Sequence, residues 1–237
     1  MSDISKKKVS MILSTFNEEA AIEKTINEIH KYIPNVEIIV VDDNSKDRTL
    51  EILNKLKKDN IKIFSRKKTK GLASAFLLGL INSSGDIVGW VDSNMTKTIK
   101  LFPDMIKNLE EYDLVLLSRF IEGGNDERNI IRKYSSLLLN KITKLILRST
   151  INDLSSGLFV MKREVLLDVL PIASGHGEFM IEFLYQAEKK NNKIKEIAYS
   201  QPVDDEGNSK SYPNLFRFCL LGLFYFIRVI QTLTRRY

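Results

Sequence analysis

The feature that most narrows the fold of this chain is a pattern it uses three times: an apolar run of strand length that stops at an acidic or hydroxyl-bearing turn. Residues 9–14 end in Thr15-Phe16-Asn17-Glu18-Glu19, residues 36–41 in Asp42-Asp43-Asn44-Ser45, and residues 87–91 in Asp92-Ser93-Asn94-Met95-Thr96. Short apolar runs bounded by turn residues read as strands covered on both faces. Helical patterns lie between them. Ile22, Ile26 and Ile29 recur at helical spacing before Pro34; Leu50, Leu53 and Leu56 follow the capping residues Asp47 and Thr49; a third helix, residues 72–83, opens after Lys70-Gly71. Residues 61–64 supply one more short strand. This alternation implies right-handed βαβ units, hence an α/β fold with a Rossmann-like, mostly parallel central sheet flanked by helices. The loops after the first, second and fourth strands then share one sheet edge, where open α/β sheets bind ligands. They carry Glu18, Asp43 and Asp92. Carboxylates gathered there repel one another, so a metal ion or a ligand rich in donors is expected between them.

The second half reads as a helix over residues 101–109 and a strand over 114–117 that ends in Ser118-Arg119. A helix over 134–148 follows the Gly123-Gly124 loop, with Tyr134, Leu137, Leu138, Ile142, Leu145 and Ile146 on one stripe. That stripe is either a core face or a face laid on a bilayer. Asp153-Leu154-Ser155-Ser156-Gly157 turns into a strand over 158–161, with a short helix over 179–187 and a last strand over 194–200 beyond it. No repeat or linker interrupts the pattern. The expected organisation is one domain, residues 1–212, and a terminal helix, residues 213–237. In that helix, residues 218–227 are apolar apart from Gly222 and the Tyr225 hydroxyl and are bracketed by Arg217 and Arg228. Spanning a bilayer takes roughly 20 apolar residues, so this stretch is too short to cross alone. Arg217, Arg228 and Arg235 fall on nearly one face. The helix is therefore amphipathic and lies at a membrane interface or against a partner, or it is a core helix with snorkelling arginines.

The net charge of +6 invites an anionic partner without choosing between nucleotide, phospholipid and nucleic acid. Cys219 is the only cysteine, which excludes an internal disulfide. Lys6, Lys7 and Lys8 precede too few apolar residues for a signal segment. Neither a phosphate-binding Gly-x-x-x-x-Gly-Lys-Ser/Thr loop nor a dinucleotide glycine triplet is present. Asp92, Asn94 and Thr96 stand at alternate positions, and in extended geometry their oxygens would converge on one hard cation.

Taken in order, Thr15-Phe16-Asn17-Glu18, Val41-Asp42-Asp43-Asn44-Ser45-Lys46-Asp47-Arg48-Thr49, Lys70-Gly71-Leu72-Ala73-Ser74-Ala75, Gly85-Asp86, Ser118-Arg119, Asp153-Leu154-Ser155-Ser156-Gly157 and Gly207-Asn208-Ser209-Lys210 resemble the family 2 glycosyltransferases of the GT-A fold, within them the dolichyl-phosphate mannose synthase branch. The resemblance covers residues 9–210. It implies an inverting transfer of a hexose, mannose favoured, from a nucleotide sugar to polyprenyl or dolichyl phosphate. The enzyme would sit peripherally on the cytoplasmic face of a membrane, with no nucleic-acid partner and possibly with a membrane subunit on the terminal helix. By the same resemblance Thr15, Phe16, Glu18, Asp43, Lys70, Gly71, Asp92, Ser93 and Lys210 border the nucleotide sugar. Asp92, Asn94 and Thr96 form the run that holds Mg²⁺ or Mn²⁺, and Arg119 and Arg132 hold the lipid phosphate, so that Asp92, Arg119 and Arg132 carry the transfer. Asn94 replaces a second carboxylate and weakens the ion's hold in the absence of diphosphate, while Glu206 stands where the branch commonly has an arginine. Thr96-Lys97 is similar to the dolichyl-phosphate glucose synthases, which makes UDP-glucose the alternative to GDP-mannose. A family 2 enzyme using a soluble glycan acceptor would need a base near Asp153 or Glu178. A sugar-nucleotide-binding descendant without activity is the remaining alternative.

Overall fold

The computed structural model describes residues 4–68, 70–170, 175–203 and 215–235, the side chains of 215–219 excepted. A short 3-10 turn, Ile4–Lys6, leads into β1 (Val9–Thr15), α1 (Ile22–Tyr32), β2 (Glu37–Asp42), α2 (Thr49–Leu56), β3 (Ile61–Ser65), α3 (Leu72–Asn82) and β4 (Ile87–Asp92). A 3-10 helix, Thr96–Leu101, continues into α4 (Phe102–Asn108). Then come β5 (Leu114–Ser118), β6 (Asn125–Asp126), α5 (Ile130–Leu147), β7 (Phe159–Lys162), α6 (Val165–Asp168), α7 (Phe179–Lys189), β8 (Ile194–Ala198), β9 (Ser200–Gln201) and α8 (Leu215–Thr234).

The expected α/β architecture is present. A 7-stranded sheet in the order β3-β2-β1-β4-β7-β5-β8 is parallel except for β7, which runs antiparallel to both its neighbours. Every residue of β1, β2 and β5 is buried, as apolar runs without alternation require. One core lies under α1, α2 and α4, built from residues such as Leu13, Ile22, Ile26, Ile29, Val40 and Met105. The other lies under α3 and α7, where Phe76 meets Trp90, Phe159, Phe179 and Phe183 at ring-centroid distances of 5.0–6.1 Å. Val229 of α8 and Leu147 of α5 close that second core.

Two elements differ from the sequence reading. Helix α5 begins at Ile130 rather than Tyr134, because the Asn129 carboxamide accepts the Arg132 backbone N–H at 3.0 Å and caps it there. The last strand is divided: β8 ends at Ala198, and β9 leaves the main sheet to pair with β6.

The order β3-β2-β1-β4 contains the switch point. The chain winds outwards from β1 to β3, then returns to lay β4 on the other side of β1. Register puts Thr15 beside Asp42 and Ser14 beside Asp92, so the ends of β2, β1 and β4 are immediate neighbours. Because β7 is reversed, β5 again runs parallel to β4, and its end at Ser118 reaches the same rim. The reversal also brings the Asp153 turn, which precedes β7, to that rim.

Candidate functional site

The loop after β1 is stitched to the loop after β2. Asn17, in the left-handed region at φ 55°, donates its N–H to Ser45 Oγ at 2.9 Å and accepts the Lys46 N–H at 2.7 Å. The Glu18 N–H donates to Thr49 Oγ1 at 2.9 Å. Asp42 is fully buried and serves this turn rather than a ligand, accepting from the Ser45 backbone and hydroxyl and from Ser65 Oγ. Asp43 is the carboxylate that the turn leaves at the rim.

Asp43 is not one of a cluster of unpaired acids. Arg66, at the end of β3, donates to it through Nε and Nη2, and the Gly71 N–H donates to its other oxygen at 2.8 Å. Arg66 also bonds Ser74 Oγ at 2.7 Å and the Gly71 carbonyl at 3.1 Å, which ties the first turn of α3 to the end of β2. Gly71 has φ +118°, a conformation that L residues rarely adopt. Arg66 was not singled out from the sequence, although its place directly after the third strand puts it on the ligand edge.

Phe16 is 41 % exposed at this rim, and the Lys70 ammonium lies over its ring at 5.0 Å. Beside it the Thr15 hydroxyl is buried without a hydrogen-bond partner among the described residues. A buried hydroxyl left without a partner costs about 1–3 kcal/mol.

The Asp92 run departs from the expected geometry. Only Asp92 belongs to the strand, and the chain turns at once, with the Met95 N–H donating to the Asp92 carbonyl at 3.0 Å. Asp92 is half-buried with Ser14 Oγ 3.4 Å from its Oδ1, Ser93 is buried, and Asn94 is exposed. Thr96 opens the 3-10 helix and shares a 2.7 Å hydrogen bond with Thr25 Oγ1 on α1. The alternate oxygens of Asp92, Asn94 and Thr96 therefore do not line one extended face. No group of three His, Cys, Asp or Glu side chains able to hold a metal occurs among the described residues.

Arg119 is buried. Its Nε and Nη2 grip Asp153 at 2.8 Å each, Nη2 also donates to Ser155 Oγ at 2.8 Å, and Nη1 lies 3.7 Å from Asp126. The guanidinium expected to hold a lipid phosphate is thus already partly engaged, and its Nη1 edge makes no hydrogen bond to the described residues. Burial works against the Arg119 charge, but the Asp153 carboxylate more than compensates and holds its pKa above the ordinary value. Asp126 likewise stays ionised below its usual range: burial opposes this, and the hydrogen bond from Arg128 outweighs it. Glu196 fixes the turn from behind, accepting the N–H groups of Asn152 at 2.9 Å and Asp153 at 3.0 Å. Arg132 is half-buried in the first turn of α5. Lys210, with Glu206 and the Gly207-Asn208-Ser209 run, lies outside the described residues. The Gly85-Asp86 pair is at the opposite end of the sheet, where Gly85 packs on Ser10 and Asp86 accepts the Lys8 N–H at 3.0 Å.

The outer faces of α5 and α8 complete the picture. The α5 stripe expected as either core or bilayer face is exposed at Tyr134, Leu138, Ile142 and Leu145, the last at 79 %, while Asn140 and Thr143 point inwards. On α8, Arg228, Val229 and Thr232 are buried, and Leu223, Phe224, Phe226, Ile227, Ile230 and Leu233 face outwards. Arg228 and Arg235 meet the buried Glu182 at 3.0 and 2.6 Å; Arg228 is buried there, while Arg235 stays exposed to solvent. No helix among the described residues is long and apolar enough to cross a membrane.

The strand ends at the switch point thus carry Asp43 and Asp92, with the Arg119–Asp153 pair farther along the same rim. Residues 10–170 match the family model described as Glycosyl transferase family 2, and the chain belongs to that family. The dolichol-phosphate mannosyltransferase of Pyrococcus furiosus is 31% identical over 214 residues, 86% of this chain and 59% of that protein. A bactoprenol glucosyl transferase of Shigella phage SfV is 29% identical over 171 residues, 68% of this chain and 54% of its own. The chain thus spans less than two thirds of the length of these relatives. Glucosyl-3-phosphoglycerate synthase from Mycobacterium tuberculosis, crystallised with Mn²⁺ and UDP, superposes with a TM-score of 0.75 at 20% identity, over 98% of this chain and 82% of its own.

Proposed function

We propose that this protein transfers a hexosyl group, with inversion, from a nucleoside-diphosphate sugar to polyprenyl or dolichyl phosphate at a membrane surface. Mannose from GDP-mannose is the favoured donor and glucose from UDP-glucose the alternative, in line with the two relatives named above. Residues 1–212 would form the transferase and 213–237 the membrane-facing helix, at the cytoplasmic face and open to a membrane subunit. The observation that carries the lipid acceptor is the reversed polarity of α5 and α8, which bury Asn140, Thr143 and Arg228 and turn leucine, isoleucine and aromatic side chains outwards. A face of this kind is stable against acyl chains and unfavourable in water.

In this reading Phe16, Glu18, Asp43, Lys70 and Gly71 border the nucleoside, and the Thr15 hydroxyl finds its partner there. The acceptor phosphate is already an anion, so no side chain has to remove a proton. The task of the chain is to hold two anions in line, and Arg132 and the Nη1 edge of Arg119 supply charge on the acceptor side. Asp153 and Asp126 keep the Arg119 plane fixed. Asp92 and the neighbouring exposed Asn94 carboxamide would hold a hard divalent ion at the strand end. Thr96 suits that role less, its hydroxyl being bonded to Thr25. Bound Mg²⁺ or Mn²⁺ would neutralise the leaving diphosphate.

The test is to supply purified protein with Mn²⁺, GDP-mannose or UDP-glucose, and either a short polyprenyl phosphate or a soluble glycan. Lipid-linked hexose is the expected product, and Asp92→Ala should remove metal-dependent nucleotide binding. Product with glycan alone, or nucleotide binding without any transfer, would overturn the proposal. Arg132→Ala should raise the KM for the lipid phosphate about 10-fold or more, as loss of a charge-assisted contact does.

A further inference from the structure

A continuous set of contacts runs from α8 to the loop that holds Asp43, and it avoids Arg119 and Arg132. Glu182 of α7 is 1 % exposed and accepts from Nη1 of Arg228 and Nη1 of Arg235. The segment just before α7 is folded tightly, with the His176 N–H donating to Glu178 Oε2 at 2.9 Å. Gly175, at φ +107°, is crowded: a Cβ there would stand 2.4 Å from Glu178 Oε1 and 3.2 Å from Arg228 Nη2. A Cβ on Gly177 would stand 2.5 Å from the Tyr225 hydroxyl of α8. The far side of this segment meets the first turn of α3. The Gly175 carbonyl accepts the Ala73 N–H at 3.5 Å and lies 3.3 Å from where a Gly71 Cβ would be, and the Gly71 N–H donates to Asp43. Phe179 and Phe183, which flank Glu182 on α7, also pack on Phe76 of α3.

We infer that Glu182 is a positioning residue for the nucleotide site. By fixing Arg228 and Arg235 it seats α8, and seated α8 holds Gly175–Glu178 against the Gly71 turn, so that lipid on the outer face of α8 tightens nucleotide binding. The inference rests on the nucleotide and membrane roles proposed above and adds the coupling between them. Two states suffice, α8 seated or lifted, and lipid and nucleotide both favour the first. Coupling of this kind is reciprocal: nucleotide must strengthen membrane binding by the same factor. A buried ion pair suits the task because it is costly to half-break, which makes an intermediate seating unfavourable.

The experiment uses the full chain, Mn²⁺, GDP and UDP, and vesicles of phosphatidylcholine with phosphatidylglycerol. Calorimetry gives nucleotide affinity with and without vesicles, and vesicle sedimentation gives membrane affinity with and without nucleotide. Wild type should bind nucleotide about 5-fold or more tightly with vesicles, within the usual range of coupling between sites, and sedimentation should return the same factor. Arg228→Gln, which removes a contact that seats α8, should bind nucleotide more weakly than wild type in solution and lose the vesicle effect, and Arg228→Lys should recover part of both. Gly177→Ala leaves the Glu182 pairs intact and wedges a methyl against Tyr225; it should lose the effect too, and it stands in for Arg228→Gln if that variant fails to fold. Equal nucleotide affinity with and without vesicles in wild type, or wild-type coupling in a folded Arg228→Gln or Gly177→Ala, would overturn the inference. Absence of nucleotide or vesicle binding would instead strike the proposed function.

Discussion

Helices α1 and α8 are both amphipathic, and they face opposite ways. On α1, Ile22, Ile26 and Ile29 are buried, while Glu23, Lys24, Glu28 and Lys31 belong to the outer face, with an exposed Lys31–Glu28 pair at 3.1 Å. On α8 the charged Arg228 is buried on Glu182, and Phe224, Phe226, Ile230 and Leu233 stand outside. Helix α5 follows α8. The two sides of the sheet thus differ: α1 carries charged side chains outwards, whereas α8 pairs Arg228 within and offers apolar carbon outwards, as α5 does. A hydrophobic stripe in a sequence fixes that a helix has two faces, but not which of them the protein keeps.

Three measurements can break or sharpen this contrast. The largest effect is expected on the ionic side. Asp153→Ala would strand buried Arg119, and stability in urea should fall by about 3–5 kcal/mol, as when one partner of a buried pair is removed. A loss below about 1 kcal/mol would show that the clamp is not what orders this side. Slightly smaller is the core change Ile29→Ala on α1, with an expected cost of about 2–5 kcal/mol, against a change within about 0.5 kcal/mol for Leu223→Ser on the outer face of α8. The same Leu223→Ser should weaken vesicle sedimentation; equal stability losses at the two positions would erase the contrast. The smallest effect is electrostatic and lies at the far end of the sheet. Burial opposes ionisation of Glu37, yet hydrogen bonds from Lys62, Ser10 and Ser84 prevail and pull its pKa from 4.5 down to about 2. A depressed carboxylate stabilises the fold above its unfolded pKa, and that contribution fades as pH falls from about 4.5 through 2. Glu37→Gln should flatten the acid limb of the stability curve over that window, and an unchanged limb would remove the assignment.

Much of this was legible in the residues. Apolar runs that end in Asp42, Asp43 and Asp92 announced a parallel sheet with its ligand edge, and their register puts these ends side by side. The misses share a cause, which is that local pattern cannot report partners supplied from a distance. Arg66 pairs Asp43 across 23 residues, Asp153 grips Arg119 across 34, and Glu182 takes Arg228 across 46. Alternation at Asp92, Asn94 and Thr96 suggested an extended run, but the Thr25 hydroxyl on α1 offers Thr96 a better bond and the chain curls to take it. The turn at Asn129 was within reach, since an Asn whose side chain can accept the N–H three residues on is an ordinary helix start.

The single reversed strand has a broader consequence. With β7 inverted, the clamp on Arg119 is assembled from one strand's exit and another strand's entrance, both beyond β4, whereas Arg66 and Gly71, which hold Asp43, both precede it. Insertions between residues 119 and 158 can therefore vary the surroundings of Arg119 without altering the residues that hold Asp43, leaving the two halves free to diversify at separate rates.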